Sequence, residues 1–161
     1  MQRKAVLEQA EVARILAAAR EEAQRNQWAV CIAVVDDGGH PLALERLDGC
    51  APIAAYIATE KARSAALGRR DTKGYEEMVN GGRTAFVSAP LLTSLEGGLP
   101  LRVDGQVVAA VGVSGVKAEQ DAQGGCSRDR CALSAASRTD EPSDRRDEND
   151  RARAMPAFAG G

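Results

Sequence analysis

Gly97-Gly98-Leu99-Pro100-Leu101, then Asp104-Gly105, then Gln106-Val107-Val108-Ala109-Ala110-Val111-Gly112-Val113-Ser114-Gly115 is the stretch that decides the fold. Gln106 to Val113 is a short apolar run rich in β-branched residues, and it reads as a buried strand. Asp104-Gly105 in front of it is a tight hairpin turn, because a residue pair of this kind accepts the positive φ such turns demand. Glycines at 97, 98, 112 and 115 surround the run. They serve either as turn residues needing positive φ or as backbone that offers amides to an anion and lets a ligand come close.

Upstream, the spacing of Val12, Ile15, Leu16, Ala19 and Ala23 makes one apolar stripe and predicts a helix over about 4–25, ended by Asn26. Trp28 to Val35 is an apolar, β-branched strand. Asp36-Asp37-Gly38-Gly39 turns the chain, and Pro41 to Leu47 returns as a second strand with its proline at the start. Asp48-Gly49 closes that hairpin. A helix is predicted from Pro52 to Leu67 with Gly68 as its cap, and its many alanines point to close backbone packing. A short helix over about 72–79 follows, capped by Asp71 or Thr72 and ended by Asn80-Gly81-Gly82. The chain is then irregular through Pro90, and a last helix is expected near Lys117. Helix, hairpin, two helices and a second hairpin give no βαβ alternation, so the expected class is α+β, with an antiparallel sheet and helices packed on it.

At 161 residues the chain suits one domain, or one domain with a tail. A net charge of −2 gives no electrostatic basis for binding nucleic acid or an anionic membrane. No apolar run approaches the roughly 20 residues of a membrane helix. Met1-Gln2-Arg3-Lys4 leads directly into a charged amphipathic pattern without the apolar centre of a secretory signal, so a cytoplasmic location is expected. The cysteines at 31, 50, 126 and 131 match no zinc spacing and are expected to be reduced thiols.

Val34-Val35-Asp36 with Gly38-Gly39-His40, Arg46-Leu47-Asp48-Gly49, Glu60-Lys61-Ala62-Arg63-Ser64-Ala65, and the glycine-rich stretch through Glu119-Gln120-Asp121 occur in that order. Together, over residues 7–123, they resemble the GlcG/HbpS family of small haem-binding or haem-degrading proteins, which is related to the C-terminal domain of PduO-type proteins. The resemblance implies a profilin-like antiparallel sheet of about five strands flanked by helices, and haem as the ligand, for storage, sensing or degradation. It divides the chain into a family-like domain over 1–123 and an atypical tail over 124–161. Relatives continue with an alanine-rich helix, whereas here Gly124-Gly125-Cys126-Ser127 interrupts it. The tail holds seven arginines, seven acidic residues and no lysine. It is expected to be disordered or loosely docked, and to be an end altered by a change of reading frame. A missing last helix would leave core surface to be covered by self-association, so a homo-oligomer, tetrameric or octameric, is expected.

His40 is the single histidine; it is either a solvent-exposed turn residue or an axial ligand for haem iron. Met78, Tyr56 and Tyr75 are other candidate ligands, and threonine or lysine ligation also stays open. Arg46 either pairs with Asp48 on the same strand face or clamps a carboxylate such as a haem propionate. Lys61 either snorkels to solvent or contacts an anionic ligand, and a Schiff-base role would need desolvation. Gly97, Gly98 and Pro100 would form one wall of the ligand pocket with His40, Arg46 and Lys61. Gly97-Gly98 lacks the remainder of a dinucleotide fingerprint or a P-loop, and Ser114 is not a nucleophile elbow. Two further functions compete with haem binding: an enzyme or accessory protein acting on a small carboxylate or quinoid metabolite, with Lys61 or His40 as acid–base group, and a structural oligomer subunit.

Overall fold

A computed structural model describes residues 4–116. The expected last helix near Lys117 and the tail lie outside the described residues. The first helix, α1 (Gln9–Arg25), starts later than the apolar stripe alone suggests. Glu8 and Glu11 form a capping box there, with the Glu8 N–H donating to the Glu11 carboxylate at 2.8 Å. Leu7, ahead of the helix, still packs against the core.

Strands β1 (Cys31–Asp36) and β2 (Pro41–Arg46) form the first antiparallel hairpin. Next come α2 (Ile53–Gly68), α3 (Lys73–Asn80) and a 3-10 turn over Thr84–Ser88, and then the second hairpin, β3 (Gly98–Val103) and β4 (Gln106–Ser114). The sheet order is β2–β1–β4–β3, antiparallel throughout. The two central strands are β1 and β4, whose near-continuous burial reflects helices on both faces. Pro41 and Pro100 fall on the two edge strands, where a missing N–H is tolerated.

The expected α+β class holds, but among the described residues the sheet has four strands rather than about five. The segment between α3 and β3 holds the 3-10 turn and forms no strand, and two of its amides bond to helix side chains. The Thr93 N–H donates to the Ser64 hydroxyl at 2.7 Å, and the Glu96 N–H donates to the Glu76 carboxylate at 2.5 Å. Among the described residues no helix is long and apolar enough to cross a membrane.

The two faces of the sheet bury residues of different size. One face sets Ile32, Val34, Val111 and Val113 against the stripe of Val12, Ile15, Ala19 and Ala23 on α1. The other sets Cys31, Ala33, Val35 and Ala110 against Ala54, Ala58, Ala62, Ala65 and Ala66 of α2. With small residues on both sides, α2 lies almost directly on the sheet backbone. Gly112 and Gly98, paired across β4 and β3, are where it touches. A Cβ on Gly112 would lie 2.6 Å from the Ala62 amide nitrogen and closer still to the Ala58 carbonyl oxygen. A Cβ on Gly98 would meet the Lys61 carbonyl group and the Thr72 methyl. These glycines are required by close approach, not by φ.

Two caps differ from the sequence expectation. Gly68 is the last residue of α2, and the left-handed position that closes the helix is held by Arg69 (φ 53°). Gly68 is needed for space, since the Tyr75 hydroxyl occupies the place of a side chain there. Thr72 precedes α3 but makes no side-chain cap. Its hydroxyl instead accepts the Gly98 N–H at 2.9 Å, and its own N–H donates to the Gly98 carbonyl at 3.0 Å, so α3 is tied to the edge strand β3.

Candidate functional site

The β1–β2 turn is organised by one carboxylate. Asp36 Oδ1 accepts the N–H groups of Gly38 and His40, both at 2.8 Å, the local bonding that turn aspartates favour. The His40 ring folds back over Gly38, where a Cβ would lie 2.9 Å from Cε1 and Nδ1. Its Nδ1 then sits 3.1 Å and 3.2 Å from the two Asp36 oxygens. An ionised carboxylate can only accept, so Nδ1 carries the proton and Nε2 is left as the lone-pair nitrogen of the neutral ring. The His40 side chain is 78% exposed, and Nε2 makes no hydrogen bond among the described residues. Burial tends to raise the Asp36 pKa, but the hydrogen bonds from the His40 N–H, the His40 ring and the Gly38 N–H, with the charge of the imidazole in its protonated form, outweigh it. Its carboxyl is held below the usual aspartate value.

The surroundings of this turn are mixed. Gly39 (φ 80°) lets the chain pass against the Arg63 side chain and Leu67 of α2. Leu42 and Leu67 both expose much of their apolar surface. Arg63 pairs with Glu60 and Lys4 pairs with Asp37.

The other residues expected at the pocket lie elsewhere. Arg46 is at the far end of β2 from His40, and six residues of strand separate them by about 20 Å. Its cross-strand partner is Cys31, and it makes no ion pair with Asp48. Lys61 is buried under α2, 3% exposed, with Nζ donating to the Val113 carbonyl at 3.0 Å among its contacts. Gly97 joins Lys61 there: its carbonyl accepts the Val113 N–H at 2.9 Å, and its φ of 119° calls for glycine. Gly98 is covered by the α2 backbone, and Pro100 lies opposite Ala110 on the same sheet face. So Lys61, Gly97 and Gly98 come together as a packing joint, while His40 and Arg46 stand at opposite ends of β2.

Of the alternative iron ligands, Tyr75 is buried, with its ring 5.9 Å from that of Phe86 and the Arg70 guanidinium 5.0 Å from its centroid. Tyr56 is exposed on α2. Cys31 and Cys50 are buried; burial first, then the neighbouring Cys50, push the Cys31 thiol up to about 11 against a smaller opposing effect of Arg46. No cluster of metal-ligating side chains exists among the described residues.

Sequence reasoning missed Asp36 as the partner of His40. The signal was present, because an aspartate four residues before a histidine across a Gly-Gly turn is placed to fold back on it. It also missed two cavities. A mainly apolar one of about 390 Å³ between α3 and the following loop is lined by Val79, Val87, Leu92 and Leu95, with the Ser94 hydroxyl buried beside it. A polar cleft of about 590 Å³ lies where α2 ends near the β3–β4 turn.

Comparison with known proteins agrees with this architecture. Residues 7–125 match the family described as haem-degrading protein HbpS-like. Over 114 residues the chain is 70% identical to Protein GlcG of Escherichia coli K12, covering 71% of this chain and 85% of that protein. The crystal structure of Klebsiella pneumoniae protein ORFY superposes with a TM-score of 0.73 at 30% identity, covering 83% of this chain and 92% of that one. A double mutant of Streptomyces reticuli HbpS superposes with a TM-score of 0.71 at 27% identity, covering 82% and 88%. With the family match spanning residues 7–125, most of its length, this chain belongs to the HbpS-like family.

Proposed function

We propose that this protein binds haem at the β1–β2 turn, with His40 as the axial ligand through Nε2. The observation that carries the reading is the Asp36–His40 pair: a carboxylate fixes the Nδ1 proton and leaves Nε2 exposed and unpaired among the described residues. Histidines that ligate metals are commonly held in this way, since the second partner sets the tautomer and raises the basicity of the ligating nitrogen. The description of the family as haem-degrading supports the same ligand.

The residues present fit the group. Asp36 stays ionised near neutral pH and orients the ring, while Gly38 leaves space for that orientation. Leu42 and Leu67 offer apolar surface at the same turn. Bound haem would supply the redox and oxygen chemistry of its iron. The chain's own part is to hold the imidazole, keep its Nδ1–H directed at the Asp36 carboxylate, and set how far the site stays open to water.

Titration of the full chain with haemin, followed by the Soret band, tests this. Saturable binding with a shifted Soret maximum is expected, together with loss of that shifted form in His40→Ala. An identical spectrum in His40→Ala would remove His40 from the site, and no saturable change in the wild-type chain would remove haem binding altogether.

A further inference from the structure

The polar cleft near the β3–β4 turn reaches the β1–β2 turn at Asp37 but is not lined by His40, and it carries an unbalanced charge. Lys4, Arg69 and Arg102 line it, against Asp37 as the one carboxylate in its lining, and Asp37 is already paired with Lys4. The two arginines are joined to each other through backbone. Arg102 Nη2 donates to the Arg69 carbonyl at 2.5 Å, and Arg102 Nη1 donates to the Gly105 carbonyl at 3.1 Å. Neither guanidinium has a carboxylate partner among the described residues. Two like charges are therefore brought into one cleft with no counter-charge of their own.

The backbone at Arg69 adds an independent observation. It occupies the left-handed position that ends α2, a place where glycine is strongly favoured because a Cβ is strained there. The chain carries an arginine at this strained position, and Arg69 lines the cleft together with Arg102. Backbone strain retained at such a point marks a place where the side chain matters.

We propose that this cleft binds a small oxyanion with two or more negative charges, a polycarboxylate or a phosphate, held by Arg69 and Arg102. Planar guanidinium forks match both groups with paired charge-assisted hydrogen bonds. A multivalent anion also relieves the repulsion between the two arginines. The volume of about 590 Å³ accommodates a small metabolite.

The test uses the haem-free full chain, with thermal melts and calorimetric titrations in citrate, in inorganic phosphate, and in chloride at matched ionic strength. A saturable rise in Tm is expected with citrate or phosphate and not with chloride, and whichever anion gives it identifies the oxyanion preferred. Arg69→Gly and Arg102→Gln are each expected to weaken binding about tenfold or more, the loss of one charge-assisted pair. Arg69→Gly should also melt higher than wild type without anion, because glycine relaxes the left-handed backbone. His40→Ala should respond to anion as wild type does. No saturable response to either anion in the wild-type chain, a response retained in Arg69→Gly, or a lower melting point of anion-free Arg69→Gly would overturn the proposal.

Discussion

Replacing Gly112 by alanine tests whether α2 really rests on the sheet backbone. The added Cβ would stand 2.6 Å from the Ala62 nitrogen, and closer to the Ala58 carbonyl oxygen, both in the middle of the helix. Relief of both contacts to an ordinary distance of about 3.5 Å requires α2 to move off the sheet by roughly 1–1.5 Å. Neither obstacle is a flexible side chain, so the movement is shared by the whole alanine face of Ala54, Ala58, Ala62 and Ala65. A gap of that size forfeits about a quarter to a half of each dispersion contact across it. Overpacking of this kind costs about 3 kcal/mol, and the lower entropy of the unfolded alanine chain returns about 0.5–1 kcal/mol. The net loss is about 2–2.5 kcal/mol, or a fall in Tm of roughly 8–20 °C for a domain of this size. Gly105→Ala is the matched control: its φ is +77° but nothing lies within 4 Å of the new Cβ. It should cost only about 1 kcal/mol, from backbone strain alone. Urea unfolding of the three proteins, followed by circular dichroism, measures the difference. If Gly112→Ala is no less stable than Gly105→Ala, α2 does not lie on the strand as described.

Three further outcomes follow from individual contacts. Lys61→Ala removes the ammonium bonded to the Val113 carbonyl and should cost about 2 kcal/mol or more in urea unfolding, while haemin binding stays at the wild-type level; a loss of haem affinity without loss of stability would assign Lys61 to the ligand instead. Asp36 has a folded pKa below its ordinary 3.8, so the stability it adds is fully present above that value and is lost as pH falls toward the lowered folded one. Asp36→Asn should therefore flatten the acid limb of stability below about pH 4, and an unchanged limb in a pH series of urea midpoints would contradict the turn geometry. Cys31, with its thiol pushed up to about 11 and no exposed surface, should resist iodoacetamide at pH 8 in the folded protein and react only after unfolding, as peptide mass mapping would show; rapid native labelling would refute its burial.

Much of the fold is legible in the sequence because its signals are local. The α1 stripe, the Asp104-Gly105 turn and the apolar run of β4 each specify one element without help from the rest. The alanines of α2 announce close packing, but they do not say what they pack on. Gly97-Gly98 permits backbone approach by a ligand or by another helix, and only the sheet register shows that Gly98 and Gly112 receive α2. His40 and Arg46 are not brought together, because His40 precedes β2 and Arg46 ends it, so the length of the strand lies between them. Thr72 was legible as a residue near a helix start, yet its hydroxyl goes to Gly98, a contact set by tertiary structure. Arg69 and Arg102 carried no signal, since surface arginines 33 positions apart have no period and a left-handed backbone is visible in sequence only when glycine occupies it.

The most direct test of the haem reading is the iron–imidazole stretch in the resonance Raman spectrum of the ferrous complex. The wild-type chain should show this band, His40→Ala should lack it, and free imidazole added to His40→Ala should restore it. A band that persists in His40→Ala without imidazole, or that is missing from the wild-type complex, would contradict axial ligation by His40 at the β1–β2 turn.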